Sequence, residues 1–375
     1  MHVLLAPVAF KGSLSAAEVA RALEVGLRRA VPDAEIEALP LADGGEGTLD
    51  ALLAVDAGEV RQVRAHHAYG EPVVARFGLF DGERRAVVES AEAIGLALLG
   101  DHPLDPFAAT SRGLGEVLAA ALDAGAEELW VGLGGSATVD GGAGMLAALG
   151  ARLADDEGHL LEGDGAALAR ISVVDLEGLH PRLNEVRVQV LADVTSPLLG
   201  PRGARLYMAQ KGASDEDAAL LEAGLARFAD VVEAAAGRRA RDLPSAGAAG
   251  GLGFALLALG AEAVSGADAV LAAVGVDDAI ARADLVLTGE GRIDEQTAEG
   301  KLIAVLARRC RAQDKPLVAL CGARRGDLGP VYEAGVTAVV PIAGGPATLE
   351  EMMERAGEWL ADAAEMVGRL TRGAV

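Results

Sequence analysis

Residues 2–39 read HVLLAPVAFKGSLSAAEVARALEVGLRRAVPDAEIEAL, and this stretch indicates the fold class. Residues 2–6 form a short apolar run that is typical of a buried strand, and residues 35–39 look like a second strand. Between them, Ser15 and Glu18 have the spacing of a helix-capping box, and apolar residues follow at helical spacing. A strand, a helix and a second strand in this order predict a βαβ unit.

The same alternation returns in the last quarter of the chain. Apolar runs at 285–288, 316–321 and 338–342 are short, and segments that look helical, at 301–312, roughly 326–335 and 348–370, separate or follow them. With the two N-terminal strands they give five strands, the pattern of a parallel sheet covered by helices. We therefore expect a flavodoxin-like, doubly wound α/β domain formed by residues 1–57 together with 275–375.

Residues 58–274 have a different pattern. Three alternating runs at 60–67, 73–80 and 84–89 are separated by turn residues, which predicts an antiparallel meander. Further segments look like strands at 128–133 and 186–191 and like helices at 114–122, 216–236 and 252–264. We expect 58–274 to form a second, mixed α/β domain inserted into the first, with the active site in the cleft between them.

Composition and charge exclude several classes of protein. The formal net charge of −23 disfavours nucleic acid and anionic membranes, and aromatic residues make up only 3% of the chain. Cys310 and Cys321 offer neither a disulfide framework nor a thiolate metal site. No charged segment followed by a long apolar one opens the sequence, so we expect a cytoplasmic protein without nucleic-acid or membrane partners. The sequence leaves open whether the protein forms a homodimer.

Lysine is rare in this chain, and three of its four lysines lie beside glycine. Only four of the 33 basic residues are lysines. Lys11, Lys211 and Lys301 stand in Phe-Lys-Gly, Gln-Lys-Gly and Gly-Lys. A compact ammonium that must reach an anion past bare backbone is not readily replaced by the planar fork of arginine. Each lysine alone is more easily explained as a solvated surface residue, but the three together predict an anion-binding site.

Two glycine-rich segments follow predicted strands. Residues 132–144 read GLGGSATVDGGAG, and their amides, with the hydroxyls of Ser136 and Thr138, suit a phosphate. Residues 42–48 read ADGGEGT and add the carboxylate of Asp43, for which capping of a helix is the ordinary alternative. Residues 132–137 also match the glycine fingerprint of dinucleotide-binding proteins. The second glycine cluster of the same segment, at 141–144, argues against a nicotinamide site.

The predicted topology places several of these groups at one edge of a sheet. Ligands of open α/β sheets bind beyond the carboxyl ends of the strands, where the strand order reverses. Lys11 follows the first strand and residues 289–294 follow the third. Asp193 ends another strand, where an aspartate holds magnesium, accepts a proton or simply caps a turn. Arg112 offers a fork for a carboxylate or phosphate.

Taken together, these motifs resemble those of bacterial type-1 glycerate kinases along nearly the whole chain. The matching segments are 10–16, 42–48, 110–113, 132–144, 193–200, 210–213, 246–253 and 289–301. The resemblance implies transfer of phosphate from ATP, with Mg²⁺, to the 2-hydroxyl of D-glycerate, giving 2-phosphoglycerate. The sequence departs from the usual family pattern at Val8-Ala9, Val139 and Ser196, where that pattern has Asp-Ser, Asn and Asn.

With this resemblance we assign roles to individual residues. Asp43 or Asp294 is expected to accept the proton of the hydroxyl, with Glu290 behind them, and Asp193 to hold magnesium. The residues expected to bind or act on glycerate also include Lys11, Arg112 and Arg292. Those expected at the phosphates of ATP are Gly134, Gly135, Ser136, Thr138, Lys211 and Lys301.

Two other functions stay open at this point. One is a nicotinamide-dependent oxidoreductase of a small hydroxy acid that uses the glycines of 132–137. The other is a non-catalytic hydroxy-acid sensor that has kept the fold. Titration with a nicotinamide cofactor, compared with titration with ATP, would identify the oxidoreductase. Binding of glycerate without ADP release would identify the sensor.

Overall fold

The computed structural model describes residues 1–82, 84–298 and 302–372, and its contacts divide the chain into two compact units. Unit 1 comprises Met1–Asp43, Asp50–Asp56 and Ala267–Val375, and unit 2 comprises Gly44–Leu49 and Ala57–Gly266. The prediction that residues 1–57 with 275–375 form one domain and residues 58–274 another stays a prediction.

The elements have the following bounds. The strands are β1 (His2–Leu5), β2 (Glu35–Ala38), β3 (Glu59–His66), β4 (Pro72–Phe80), β5 (Arg85–Glu89), β6 (Glu128–Gly132), β7 (Arg152–Ala154), β8 (Val173–Asp175), β9 (Arg187–Leu191), β10 (Glu262–Val264), β11 (Leu285–Ile293), β12 (Leu317–Arg324) and β13 (Ala338–Pro341). The α-helices are α1 (Ala16–Ala30), α2 (Thr48–Leu53), α3 (Ser90–Ile94), α4 (Arg112–Asp123), α5 (Ala143–Ala148), α6 (Asp215–Ala236), α7 (Leu252–Ala258), α8 (Gly266–Ala273), α9 (Val276–Arg282), α10 (Leu302–Ala312), α11 (Gly329–Ala334), α12 (Leu349–Glu354) and α13 (Ala356–Arg372). Short 3₁₀ helices span Leu96–Leu99, Ala167–Ala169, Pro181–Asn184, Ala204–Tyr207, Ala209–Lys211, Ala248–Gly251 and Glu295–Ala298.

Unit 1 contains a five-stranded sheet in the order β13-β12-β11-β1-β2, with every neighbouring pair parallel. This is the predicted flavodoxin-like order, because the first strand lies between the second and the third. β1 is buried on both faces, because Val3 and Leu5 join a core with α1 and α13 and Leu4 between them is also fully buried. The edge strand β2 is partly exposed. The confirmed capping box of Ser15 and Glu18 starts α1. The order reverses at β1, so the site is expected at the carboxyl end of β1 and β11.

Unit 2 contains a six-stranded mixed sheet in the order β10-β9-β6-β5-β4-β3. The pairs β3–β4 and β4–β5 are antiparallel, which confirms the predicted meander. From β5 through β6 and β9 to β10 the pairing is parallel. The carboxyl ends of β5, β6 and β9 therefore lie at the same edge, and the segments that follow these strands carry the polar groups described below.

Three predicted segments differ from the structure. The expected helix 252–264 ends at Ala258, because Gly260 at φ +101° reverses the chain and Glu262–Val264 pairs with β9 instead. The expected helix 348–370 is two helices, α12 and α13, separated at Arg355. The strand predicted at 285–288 is longer in the structure: β11 continues to Ile293, because its pairing with β12 extends to the residue pair Ile293 and Arg324.

None of the described helices combines the length and the apolar character that spanning a membrane requires.

Candidate functional site

The turn after β1 in unit 1 presents Lys11. The Phe10 amide donates to the Leu14 carbonyl at 2.8 Å, and the Phe10 carbonyl accepts from the amides of Ser13 and Leu14, so the chain forms a tight loop. Gly12 has φ +77°, a conformation that glycine adopts without strain. Phe10 is buried, whereas Lys11 is exposed at the tip. Lys11 therefore stands at the exposed tip of a loop that backbone hydrogen bonds close.

This loop packs on β11, as the predicted topology requires. The Val8 amide donates to the Gly289 carbonyl at 3.1 Å. A Cβ built on Gly291 would lie 3.8 Å from the Cα of Phe10 and 3.9 Å from the amide nitrogen of Lys11. These are ordinary contact distances, whereas a Cβ on Gly289 would lie only 3.1 Å from Cε1 of Phe10, so glycine at position 289 lets the loop pack closely on β11. The structure brings the Lys11 segment and the Gly289–Gly291 segment together at the point where the strand order reverses.

Glu290 and Arg292 lie on β11 and not in a turn, which corrects their predicted setting. The cause is the continued pairing with β12, in which Glu290 stands opposite Cys321. The Arg292 Nε lies 3.1 Å from Oδ2 of Asp294, and the Asp294 amide donates to Thr297 Oγ1. The Asp294 carboxylate, directly after the end of β11, therefore forms an ion pair with Arg292.

Asp43 follows β2 at the same end of the unit 1 sheet. The Leu39 amide donates to the Leu5 carbonyl at 2.7 Å, and the Leu41 amide to the Pro7 carbonyl at 2.8 Å. These bonds continue the pairing beyond the two strands and fix the course of the chain up to Asp43, which is exposed. The structure thus places this candidate base just beyond the carboxyl ends of the strands.

An open pocket borders the Lys11 loop but does not suit an anion. Its lining consists of Gly12, Ser13, Leu349, Glu350, Met353 and Glu354. Two glutamates on this lining repel a carboxylate or a phosphate. We therefore assign no substrate group to this pocket.

In unit 2, the glycine-rich loop that follows β6 is held by the segment after β5. The Leu96 amide donates to the Gly135 carbonyl at 2.8 Å, and the Ala137 amide donates to the Ile94 carbonyl at 2.9 Å. The Ser90 hydroxyl donates to the Gly134 carbonyl at 3.1 Å. Gly134 and Gly135, both expected at the phosphates, therefore belong to a loop whose carbonyls are already engaged within the protein.

Asp140 organises the second half of this loop and was missed as a functional candidate. Its buried carboxylate accepts from the amide and the hydroxyl of Ser111, both at 2.6 Å, and from the amides of Gly142 and Gly144 at 3.1 and 3.2 Å. Burial raises the pKa of Asp140 above the usual aspartate value, and these four hydrogen bonds partly oppose that rise. The sequence signal was present, because an aspartate between glycines is a frequent acceptor for backbone amides.

Lys211 is buried and bonds this loop from the other side. Its Nζ donates to Ser136 Oγ at 3.1 Å and to the Thr138 carbonyl at 2.8 Å. Burial lowers the pKa of Lys211 to about 7, while the charge of Asp140 acts in the opposite direction. The structure thus joins Ser136, Thr138 and Lys211, three of the residues expected at the phosphates. Lys301 lies outside the described residues.

Glu89, at the end of β5, is a second carboxylate that the sequence analysis missed. It is buried and accepts from the amide of Gly47 at 3.0 Å and of Leu49 at 2.5 Å. The segment it holds lies against the loop after β6, because a Cβ on Gly132 would come 2.5 Å from the Gly44 carbonyl oxygen. The two glycine-rich segments are therefore neighbours in unit 2. A glutamate that ends an apolar strand was the available signal.

Asp193 follows β9 and is positioned by the segment after β10. The Ser265 hydroxyl donates to Asp193 Oδ1 at 3.0 Å, and the Ala192 amide donates to the Val264 carbonyl at 3.1 Å. Among the residues that the structure describes, no cluster of three or more histidine, cysteine or acidic residues has a metal-binding arrangement. A single carboxylate fits Mg²⁺, which is commonly bound by one or two carboxylates together with substrate phosphates.

Arg112 begins α4, directly after Ser111. Its guanidinium contacts Glu116 at 3.2 Å and Glu162 at 3.1 Å, and the side chain is about half exposed. An anionic ligand would have to compete with these two carboxylates for the guanidinium. The predicted anchor is therefore present at the surface but is paired in this structure.

Known proteins resemble this chain over nearly its whole length. The model of the glycerate kinase family matches residues 3–372. A glycerate kinase of Bacillus subtilis (strain 168) is 43% identical over 362 residues, covering 96% of this chain and 95% of the relative. A glycerate 2-kinase of Escherichia coli (strain K12) is 42% identical over 353 residues, covering 94% and 93%. A crystal structure provisionally assigned as glycerate kinase 2 of Salmonella typhimurium LT2 has a TM-score of 0.82 and 38% identity, covering 100% of this chain and 99% of that one.

Proposed function

Because this chain belongs to the glycerate kinase family, we propose that it transfers the terminal phosphoryl group of ATP to D-glycerate. The accepting group is the hydroxyl on carbon 2, and the product is 2-phosphoglycerate. The 42% identity to the Escherichia coli glycerate 2-kinase supports this choice of hydroxyl. The reaction is a phosphotransfer to an alcohol.

The observation that carries the proposal is the fixed glycine-rich loop after β6. Phosphoryl transfer asks the protein mainly for positioning and for neutralisation of charge. Ser90 and Lys211 bond the loop from other segments, and Asp140 within the loop accepts from the amide of Ser111. A Cβ on Gly134 would lie 2.7 Å from the Cα of Gly45, so the backbone is packed too closely for a larger residue. Such a preorganised backbone suits binding of a polyphosphate.

The roles of the residues around glycerate follow from charge and exposure. Lys11 supplies an exposed ammonium for the glycerate carboxylate, with Arg112 as the second cation. Asp43 or Asp294 accepts the proton that leaves the attacking hydroxyl, because a carboxylate within hydrogen-bond reach can act as a general base. The proposal requires residues of both units to serve one reaction, which is an expectation from the sequence.

Asp193 would hold the magnesium ion that accompanies ATP. The ion supplies neutralisation of the negative charge on the phosphates. Ser265 restricts the rotation of the Asp193 carboxylate through its hydrogen bond of 3.0 Å. Removal of magnesium with EDTA should therefore abolish turnover, and a Ser265→Ala variant should need more magnesium for half-maximal activity.

A coupled ADP-release assay tests the proposed function. Purified protein is incubated with ATP, Mg²⁺ and one acceptor at a time: D-glycerate, L-glycerate, D-lactate or glycerol. We expect ADP release with D-glycerate well above the release with the other three. Release that does not depend on D-glycerate would contradict the proposal, and reduction of a nicotinamide cofactor by D-glycerate would favour the oxidoreductase instead.

A further inference from the structure

The side chain of Lys211 is an unusual feature of unit 2, because its ammonium is almost completely buried. Lys211 ends the 3₁₀ helix Ala209–Lys211, and only 3% of the residue is exposed. Its Nζ reaches Ser136 Oγ at 3.1 Å and the Thr138 carbonyl at 2.8 Å. Both acceptors lie in the loop that we assign to ATP. A lysine in this setting cannot easily leave its pocket to contact a phosphate.

The chemistry of the ammonium group determines how Ser136 is oriented. An ammonium has three donors and no acceptor, so Ser136 Oγ must accept from Lys211. The hydroxyl proton of Ser136 then points elsewhere and can be donated to another acceptor. A neutral amine has a lone pair, and against it Ser136 can instead donate its proton to Nζ. The protonation state of Lys211 therefore selects the direction of the Ser136 hydroxyl.

We propose that Lys211 is a positioning residue that keeps the Ser136 hydroxyl directed at a phosphate oxygen of the nucleotide, without contacting the nucleotide itself. This inference rests on the proposed function and refines the assignment of Lys211 as a direct phosphate ligand. The second bond of Lys211, to the Thr138 carbonyl, fixes the backbone two residues further along the loop.

A second observation in the same loop supports a ligand there. Thr138 is fully buried, and its Oγ1 makes no hydrogen bond within the described part of the chain. Buried hydroxyls are normally hydrogen-bonded, so this one calls for a partner. A phosphate oxygen bound to Ser136, two residues before Thr138 in the loop, would offer such an acceptor. Ser136 and Thr138 would then be the two hydroxyl donors of the loop.

The charged group that acts on Lys211 is Asp140. Burial lowers the pKa of Lys211 to about 7, and the Asp140 carboxylate opposes this. Near neutral pH the ammonium and the amine are therefore both populated in the absence of nucleotide. A phosphate that accepts the Ser136 proton favours the ammonium, because only against the ammonium is this proton kept free for the phosphate. Nucleotide affinity should consequently decrease as pH rises through the pKa of Lys211.

Calorimetric titration with the non-hydrolysable analogue AMPPNP and Mg²⁺ tests this arrangement. The variants are Lys211→Met, which removes the donor at similar length, Ser136→Ala and the double variant. We expect each single variant to bind at least tenfold more weakly, and the double variant to bind no more weakly than the worse single variant, because both changes remove the same hydrogen bond to phosphate. In the wild type, affinity should decrease between pH 6 and pH 9, and this dependence should disappear in both single variants.

Lys315→Met is the matched control. Lys315 also donates to a backbone carbonyl, that of Ala283 at 2.7 Å, but it belongs to unit 1, whereas the loop belongs to unit 2. This variant should bind AMPPNP as the wild type does and show the same pH dependence. If Lys211→Met does not fold, the pH profile of Ser136→Ala still decides, because it must be flat if Ser136 transmits the effect.

Several results would overturn the inference. Additive losses in the double variant would mean that Lys211 contacts the nucleotide directly. Unchanged affinity in Ser136→Ala, or a pH dependence that persists in it, would mean that Ser136 is not the donor. The proposed function fails separately: normal AMPPNP binding with the expected coupling, but no ADP release with D-glycerate, would reject only the choice of acceptor.

Discussion

The carboxylate of Asp140 accepts hydrogen bonds from both the amide and the hydroxyl of Ser111, each at 2.6 Å. This contact joins two segments that the sequence singled out separately, 110–113 and 132–144. Ser111 in turn accepts from the Met145 amide at 2.9 Å, at the start of α5. Arg112 follows Ser111 directly, so one buried carboxylate determines the positions of the loop and of the first residue of α4.

Replacement of Asp140 by asparagine should destabilise unit 2 and weaken catalysis. Asparagine turns one acceptor oxygen into an amino group, which would face the amide donors now bonded to Asp140. We expect a decrease of about 2 kcal/mol in the free energy of unfolding, and at least a tenfold loss in kcat/KM for ATP. Urea unfolding and steady-state kinetics measure the two effects. The exposed Asp156→Asn variant is the control, and equal stability of the two variants would contradict the assignment.

The stability of the protein should depend on pH through Lys211. Because burial lowers the pKa of Lys211 to about 7 from the ordinary value of 10.5, the unfolded chain binds more protons than the folded one between these values. The contribution of Lys211 to stability is therefore present above the unfolded pKa and is lost as pH falls through the folded pKa. Each pKa unit corresponds to about 1.36 kcal/mol, so the effect amounts to a few kcal/mol.

The measurement compares urea unfolding of the wild type and Lys211→Met at several pH values between 6 and 10. Relative to the wild type, the variant should be most stable at pH 6 and lose this advantage as pH rises. A difference that stays constant over the whole range would show that the buried lysine is not the group responsible.

Replacement of Glu89 by glutamine should disturb the segment 44–49. Glu89 accepts from the amides of Gly47 and Leu49, and glutamine offers only one acceptor oxygen to these two donors. We expect a loss of about 1–3 kcal/mol in stability and a reduction in kcat of at least fivefold. The exposed Glu127→Gln variant provides the comparison. Wild-type kcat in Glu89→Gln would refute a positioning role for this carboxylate.

The two candidate bases can be distinguished by their asparagine variants. Asparagine keeps the shape of the side chain but does not accept the proton, and a general base contributes roughly 10²–10⁴-fold to the rate. We therefore expect either Asp43→Asn or Asp294→Asn to lose at least 100-fold in kcat, with a smaller change in KM. In Asp294→Asn the charge partner of Arg292 is also lost. If both variants retain near-normal turnover, neither residue is the base.

The topology of unit 1 was predictable because its strands are short, mostly apolar and separated by helical segments. The meander was equally clear, because residues 60–89 alternate between turns. The extension of β11 was not, because Gly289 and Gly291 resemble a turn until their pairing with β12 is known. Local sequence does not show which strand a glycine-rich segment will pair with.

The candidate site was predictable as a set of segments but less so in its contacts. The sequence placed Lys211 among the phosphate-binding residues, yet burial of its ammonium depends on packing that no local pattern reveals. Asp140 and Glu89 were overlooked because a carboxylate that bonds backbone amides has the same sequence appearance as an ordinary capping residue. Their importance follows from which distant amides they reach.

The identity of the phosphorylated product tests the central claim most directly. Protein, ATP, Mg²⁺ and D-glycerate are incubated, and the proton-coupled ³¹P NMR spectrum of the product is recorded. A phosphate on carbon 2 has one neighbouring proton on its carbon and gives a doublet, whereas one on carbon 3 has two and gives a triplet. We predict a new doublet that grows with ADP. A triplet would contradict transfer to the 2-hydroxyl, and the absence of any new phosphomonoester signal would contradict the glycerate kinase activity itself.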